Sequence, residues 1–167
     1  MEDKFPKSRY HWLVIARGED FGSMPSPLIN LRKHHIPLLK HMRSVAYGVM
    51  SRTSVPKTDF AIGFHRLPSM RQLHLHVISK DYDSLYLKTK KHWNSFTPDF
   101  FVPMSSLLQA LENSQEGEEV FTLHESLLSE SDADRVLKQD MVCFKCGIVL
   151  KNIPSLKSHQ KSCNAAK

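Results

Sequence analysis

Apolar and polar positions alternate from Gln72 to Ser79, with Leu73, Leu75 and Val77 pointing one way and His74 and His76 the other, as successive side chains of a β-strand do. The apolar side is expected to meet a core, which leaves two imidazoles together on the opposite face. Upstream, Ala61 to Leu67 reads as another short strand, and Pro68, Ser69, Met70 and Arg71 as the turn between the two. Antiparallel pairing would bring His65 near His74 and His76. His11 to Ala16 is apolar and partly β-branched and reads as a buried strand ending at Gly18, with a loop over residues 22–27. From about Ile36, with Pro37 suited to a first turn, Leu38, Met42, Val45, Ala46 and Val49 recur at helical spacing opposite Lys40, His41 and Arg43. That helix is expected to cover the sheet. Residues 103–111 suggest a second helix through Leu107, Leu108 and Leu111. Strands and helices in separate runs predict an α+β fold.

The 167 residues suit one domain of good size with a small module attached. No apolar run approaches the roughly 20 residues that cross a bilayer, and Met1, Glu2, Asp3 and Lys4 are too polar for a secretion signal. An intracellular protein without a membrane partner is expected. The net charge of +6 is unevenly distributed: residues 1–111 carry +8, residues 112–134 carry −8 with no Lys or Arg, and residues 138–167 carry +5. Two basic bodies flank an acidic strip, which reads as a solvated loop or helix start. Basic surfaces on both modules suit a polyanion; a solubilising surface is the alternative.

The three cysteines cluster near the C-terminus, which favours metal binding over a disulfide framework. Cys143, Cys146, His159 and Cys163 have the spacing of a zinc site, two ligands from a hairpin and two from one helix face. Gly147 sits where the knuckle must turn, and Phe144 and Leu156 are expected to build a core too small to hold about 25 residues without Zn²⁺. Lys151, Ser155 and Lys157 are candidates to grip phosphates.

Paired imidazoles on a rigid strand can divide nucleophilic and hydrogen-bonding roles or bind a metal, whereas a solvated outer face is the bland alternative. The string Gln72-x-His74-x-His76-Val77-Ile78 resembles the histidine triad pattern, His-x-His-x-His followed by two apolar residues, whose members are nucleotide hydrolases and transferases. Gln72 occupies the first position, where an amide can hydrogen-bond but not titrate. The string from Pro6 to Val14, then Ser69-Met70, then Lys90-Lys91-His92-Trp93-Asn94-Ser95-Phe96, and finally the cysteine pattern occur in the order of the superfamily's DNA-repair branch. The resemblance runs from Phe5 to Cys163. The last ligand is cysteine where that branch often has histidine.

The resemblance implies a histidine triad domain over residues 1–137, with helices packed on one side of its sheet, and a ββα-like finger over residues 138–167. Family members usually have another strand before Pro6, which leaves an N-terminal truncation open. It further implies that His74 is the nucleophile, that His76 orients the site and contacts phosphate, and that His65 assists the leaving group. Ser69 would contact the transferred group, with Arg71 and Lys7 steadying the charge that develops. Phe5 would stack on adenine and His11 would stand near the phosphates; taken singly, Phe5 reads as a terminal hydrophobe and His11 as a core histidine. Lys88, Lys91 and Trp93 would clamp phosphates and stack on a terminal base, a solvated charge run being the alternative. His34, His35, His41 and His124 are assigned to surface or core.

The function implied is removal of AMP from 5′-adenylated ends or nicks in double-stranded DNA through a histidine-AMP intermediate, with guanylate caps as further substrates. Structural Zn²⁺, catalysis without metal, a nuclear location and a monomer are expected with it. The alternatives are a hydrolase of small adenosine phosphoramidates or dinucleoside polyphosphates, and a non-catalytic nucleic-acid-binding adaptor.

Overall fold

The computed structural model describes residues 1–17, 28, 31–70, 72–115 and 129–163. In chain order the elements are β1 (His11–Ile15), α1 (Ile36–Met50), β2 (Phe60–His65), β3 (His74–Ser79), α2 (Lys90–Asn94), β4 (Phe101–Pro103), α3 (Met104–Asn113), α4 (Glu130–Lys138), β5 (Met141–Val142), β6 (Val149–Leu150) and α5 (Ile153–Ser162). Gly18, the loop over residues 22–27, Arg71 and His124 lie outside the described residues.

Four antiparallel strands form the main sheet in the order β1-β3-β2-β4. The triad strand β3 is therefore an inner strand, and all six of its residues are buried. Its alternation resolves as two packed faces. Leu73, Leu75 and Val77 join Leu39, Met42, Ala46, Met50, Leu107 and Leu111 in the core beneath α1 and α3. Burying each of the leucine, valine and methionine side chains contributes on the order of 1.5–3 kcal/mol. The stripe that α1 buries is Leu39, Met42, Ala46 and Met50. It is rotated from the predicted one, because Val45 remains 39% exposed and Leu38 and Val49 only flank the core.

Two features of the sheet are invisible to periodicity. Residues 1–3 run beside β1, with Glu2 bridged to Trp12, the Asp3 amide donating to the His11 carbonyl at 2.9 Å and the Leu13 amide to the Met1 carbonyl at 2.8 Å. Strand β4 is three residues long and pairs with residues 63–65. A Cβ at Gly63 would lie 2.3 Å from the Val102 carbonyl oxygen, so only glycine permits that close approach. Pro103, which has no amide hydrogen to extend the ladder, ends it.

The finger is a β5–β6 hairpin followed by α5, whose start is closed by a capping box between Asn152 and Ser155. Its buried Met141, Cys143, Leu150 and Leu156 are continuous with Ile78, Tyr82, Trp93, Phe96 and Phe101 of the larger module. The histidine-bearing face of the sheet thus shares its core with the finger. The expectation that Phe144 fills the finger is corrected: it is 41% exposed and stacks on Trp93, with ring centroids 4.2 Å apart and planes at 10°. A hairpin this small has room for Leu156 and not for a second large ring. The acidic strip contributes the start of α4, where Ser129 caps the helix and Glu130 and Asp132 sit in the first turn.

Candidate active site

Strands β1, β3 and β2 bring His11, His74, His76 and His65 to one sheet face: Leu13 and Gly63 flank His76 in register. The ring centroids of His65 and His76 are 4.1 Å apart and those of His74 and His76 are 5.0 Å apart. His74 is 4% exposed and His76 5%, which excludes the solvated-face alternative. Phe96 packs its edge against His11, His65 and His76 and walls the cluster.

A single order of protons satisfies this cluster. The Lys7 amide donates to His11 Nδ1 at 3.2 Å, so the proton of a neutral His11 is on Nε2. His11 Nε2 lies 3.0 Å from His76 Nδ1 and donates to it. The proton of His76 is then on Nε2, which is buried and has no hydrogen-bond partner among the described residues. His74 Nδ1 donates to the Gln72 carbonyl oxygen at 2.8 Å, leaving Nε2 of neutral His74 with a free lone pair. The first triad position therefore acts through its backbone, while the Gln72 side chain is exposed.

Burial keeps the supporting rings neutral. It lowers His65 to about 3, with His74, His11 and Lys7 adding to the effect. It lowers His11 to about 4 against the pull of Asp3, whose Oδ2 is 3.9 Å from His11 Nε2. His76 is held well below the ordinary histidine range by burial first and by its three neighbouring imidazoles after that. Lys7 is itself lowered by partial burial, which Asp3 opposes; its ammonium donates to the Phe5 carbonyl. His65 Nε2 is enclosed and unpaired like His76 Nε2. The site thus offers one lone pair and two buried, unsatisfied ring nitrogens.

In the finger, Cys143, Cys146, His159 and Cys163 place one ligand atom each within 4.8 Å of the others. The Cys143 and Cys163 sulfurs are 3.9 Å apart and Cys146 Sγ is 3.2 Å from His159 Nε2. Tetrahedral zinc with Zn–S bonds of about 2.3 Å places two sulfurs about 3.8 Å apart, so this Cys3His set fits structural zinc. Gly147 takes φ +75° at the knuckle. Burial pushes the Cys143 thiol up, but hydrogen bonds from the Lys145 and Cys146 amides and from the His159 and Cys146 side chains together outweigh it and bring it to about 6, toward the thiolate that zinc requires.

The remaining predicted residues divide. Phe5 is 51% exposed and meets Tyr86 edge-on. Ser69 is exposed in the β2–β3 turn, and Lys88 and Lys151 are exposed. Trp93 is corrected: it is fully buried, its indole N–H donates to the Val142 carbonyl at 3.0 Å, and no base can reach it. The Lys91 ammonium is 2.7 Å from Asp134 and ties α2 to α4. Lys157 Nζ donates to the Ser84 carbonyl at 2.6 Å and Ser155 completes the helix cap, so both serve the joint and the fold rather than standing free for phosphate. Sequence reasoning also missed Asn94, which is 2% exposed and donates to the Leu137 and Gln139 carbonyls at the end of α4. In the Lys-Lys-His-Trp-Asn-Ser-Phe string the tryptophan and the asparagine are internal fasteners, which its lysine-rich composition does not announce.

A histidine-bearing sheet fused to a Cys3His finger defines a histidine triad protein with an appended zinc module. The family described as scavenger mRNA decapping enzyme C-term binding matches residues 1–92, and the C2HE / C2H2 / C2HC zinc-binding finger matches residues 97–164. The chain belongs to the first of these families and carries its histidine triad fold. Its relatives include aprataxins: it is 40% identical to aprataxin of Danio rerio over 97% of this chain and 46% of that protein, and 41% identical to an aprataxin-like protein of Drosophila melanogaster over 94% and 22%. The chain thus spans less than half the length of these relatives. The crystal structure of the aprataxin ortholog Hnt3 in complex with DNA superimposes with a TM-score of 0.70 at 28% identity, over 96% of this chain and 80% of that one.

Proposed function

We propose that this chain removes AMP from 5′-adenylated DNA ends and nicks, and guanylate caps in the same way, as a nuclear monomer. The observation that carries the reading is the His74 Nδ1 bond to the Gln72 carbonyl, which aims an unprotonated Nε2 off the triad strand. That nitrogen attacks the AMP phosphorus; the bond from phosphorus to the DNA phosphate oxygen breaks, and a DNA 5′-phosphate leaves. His76 Nε2–H donates to an oxygen of the transferring group, where charge develops, and His65 Nε2 attends the leaving oxygen. Water then splits the phosphoramidate, releasing AMP and restoring His74.

Asp3, His11 and His76 offer ligand atoms close enough to share an ion, but the lone pair of His76 Nδ1 is occupied by the His11 proton. The reading therefore routes no step through a metal. The Hnt3 complex with DNA and the basic surfaces of both modules support a DNA substrate. Exposed Lys88 and Lys151 would contact phosphates, while Phe5 would stack on the base with Lys7 beside it.

The test is to mix the zinc-loaded protein with adenylated nicked duplex, quench, and weigh the protein. An adduct of AMP on the peptide bearing His74, absent in His74→Ala along with turnover, is expected. Release of AMP at an undiminished rate by His74→Ala would overturn the reading. Faster cleavage of a dinucleoside polyphosphate than of the nicked duplex would transfer it to small nucleotides.

A further inference from the structure

Strand β4 covers only the far half of the β2 edge, because Pro103 cuts its ladder short. Among the described residues, residues 60–62 have β3 on one side and no strand on the other. A groove of about 820 Å³ runs along this open edge. One wall is α1, through Arg43 and Tyr47; the other is the finger, through Phe144, Lys145 and Gln160. Between them, Phe60, Ala61 and Ile62 form the floor, and Phe96 and Phe101 an apolar recess. Arg43, Lys57, Lys80 and Lys145 line the groove, with no Asp or Glu among the described residues that line it.

Each feature limits the occupant. An open strand edge offers backbone donors and acceptors in a row, which an extended peptide satisfies and a sugar–phosphate chain does not. The groove lies in line with β4, so an added strand continues the ladder that β4 begins. Four cations without an anion demand acidic side chains, and the aromatic recess demands apolar ones between them. A second copy of this chain would bring the same four cations to the same edge, and like charges oppose that pairing.

We propose that this groove binds an extended acidic peptide of a partner protein as an additional strand beside residues 60–62, with acidic side chains on Lys80 and Lys145 and apolar ones in the Phe96–Phe101 recess. The groove shares Phe96 with the wall of the triad, but its open strand edge and its lysines lie outside the four imidazoles, and the proposal does not depend on the DNA reaction. Lys80 and Lys145 are exposed, so reversing them leaves the core alone.

The experiment pans a displayed library of random heptapeptides on the zinc-loaded protein, with the Lys80→Glu/Lys145→Glu variant as counter-selection. Selected peptides are expected to alternate acidic and apolar residues, to protect the amides of residues 60–62 from hydrogen exchange, and to lose at least tenfold in affinity for the variant, a difference of about 1.4 kcal/mol. An unchanged melting temperature of the zinc-loaded variant verifies its fold. No enrichment over the counter-selection would overturn the proposal. So would an oligonucleotide that displaces the selected peptides from the groove, or selected peptides that leave residues 60–62 unprotected.

Discussion

His11 Nε2 lies 3.0 Å from His76 Nδ1, and that bond decides which nitrogen of His76 carries its proton. His11→Asn keeps a small polar side chain but breaks the order of protons. It is expected to lower kcat on the order of 10²-fold while leaving KM for adenylated DNA nearly unchanged. Steady-state kinetics on a labelled nick would measure this, and an equal rise in KM would instead place His11 in ground-state binding.

Gln72→Ala removes an exposed side chain but not the carbonyl that orients His74. Its rate is expected to stay within about twofold of the parent, the equivalent of roughly 0.5 kcal/mol. A large loss would show that the amide itself takes part.

Stability should depend on pH through the same cluster. His11 at about 4, His65 at about 3 and His76 well below 6.5 bind fewer protons folded than unfolded. Stability is therefore full above about pH 6.5 and falls as pH drops toward 4, by up to about 1.4 kcal/mol per group and pH unit. Thermal unfolding across that range would record a declining Tm on the acid side, with a shallower slope in His11→Asn.

Trp93 joins the two modules by stacking on Phe144 and bonding to the Val142 carbonyl. Trp93→Ala is expected to cost about 3–5 kcal/mol. The loss should appear in both modules at once, as a lower denaturation midpoint together with faster zinc release to a chromogenic chelator.

Zinc removal tests the same continuity from the other end. Chelation should unfold the hairpin and α5, because Leu150 and Leu156 are too few to hold them. Amide spectra should retain the α1–α3 core, whose apolar contacts are its own, and lose the signals of α2.

Regions where one face of an element carries the pattern were legible in the chain. The alternation around His74 and His76, the paired strand bearing His65 and the spacing from Cys143 to Cys163 all specify local geometry that the fold keeps. What escaped is tertiary. Nothing about Trp93 marks it as buried, because a tryptophan in a lysine-rich run looks the same whether it faces DNA or a finger. Strand β4 is too short to alternate, and Asp3 gains its place beside His11 only because residues 1–3 happen to lie along β1. The tautomers were equally out of reach, since they depend on the Lys7 amide and the Gln72 carbonyl, groups that every residue has.

The bond from the main chain at position 72 to His74 has a consequence for the signature. An atom common to all amino acids orients the His74 ring, so that orientation sets no requirement on which side chain stands at position 72. A chain that holds its ring this way need not spell three alternating histidines, and a search demanding the full signature would pass over it.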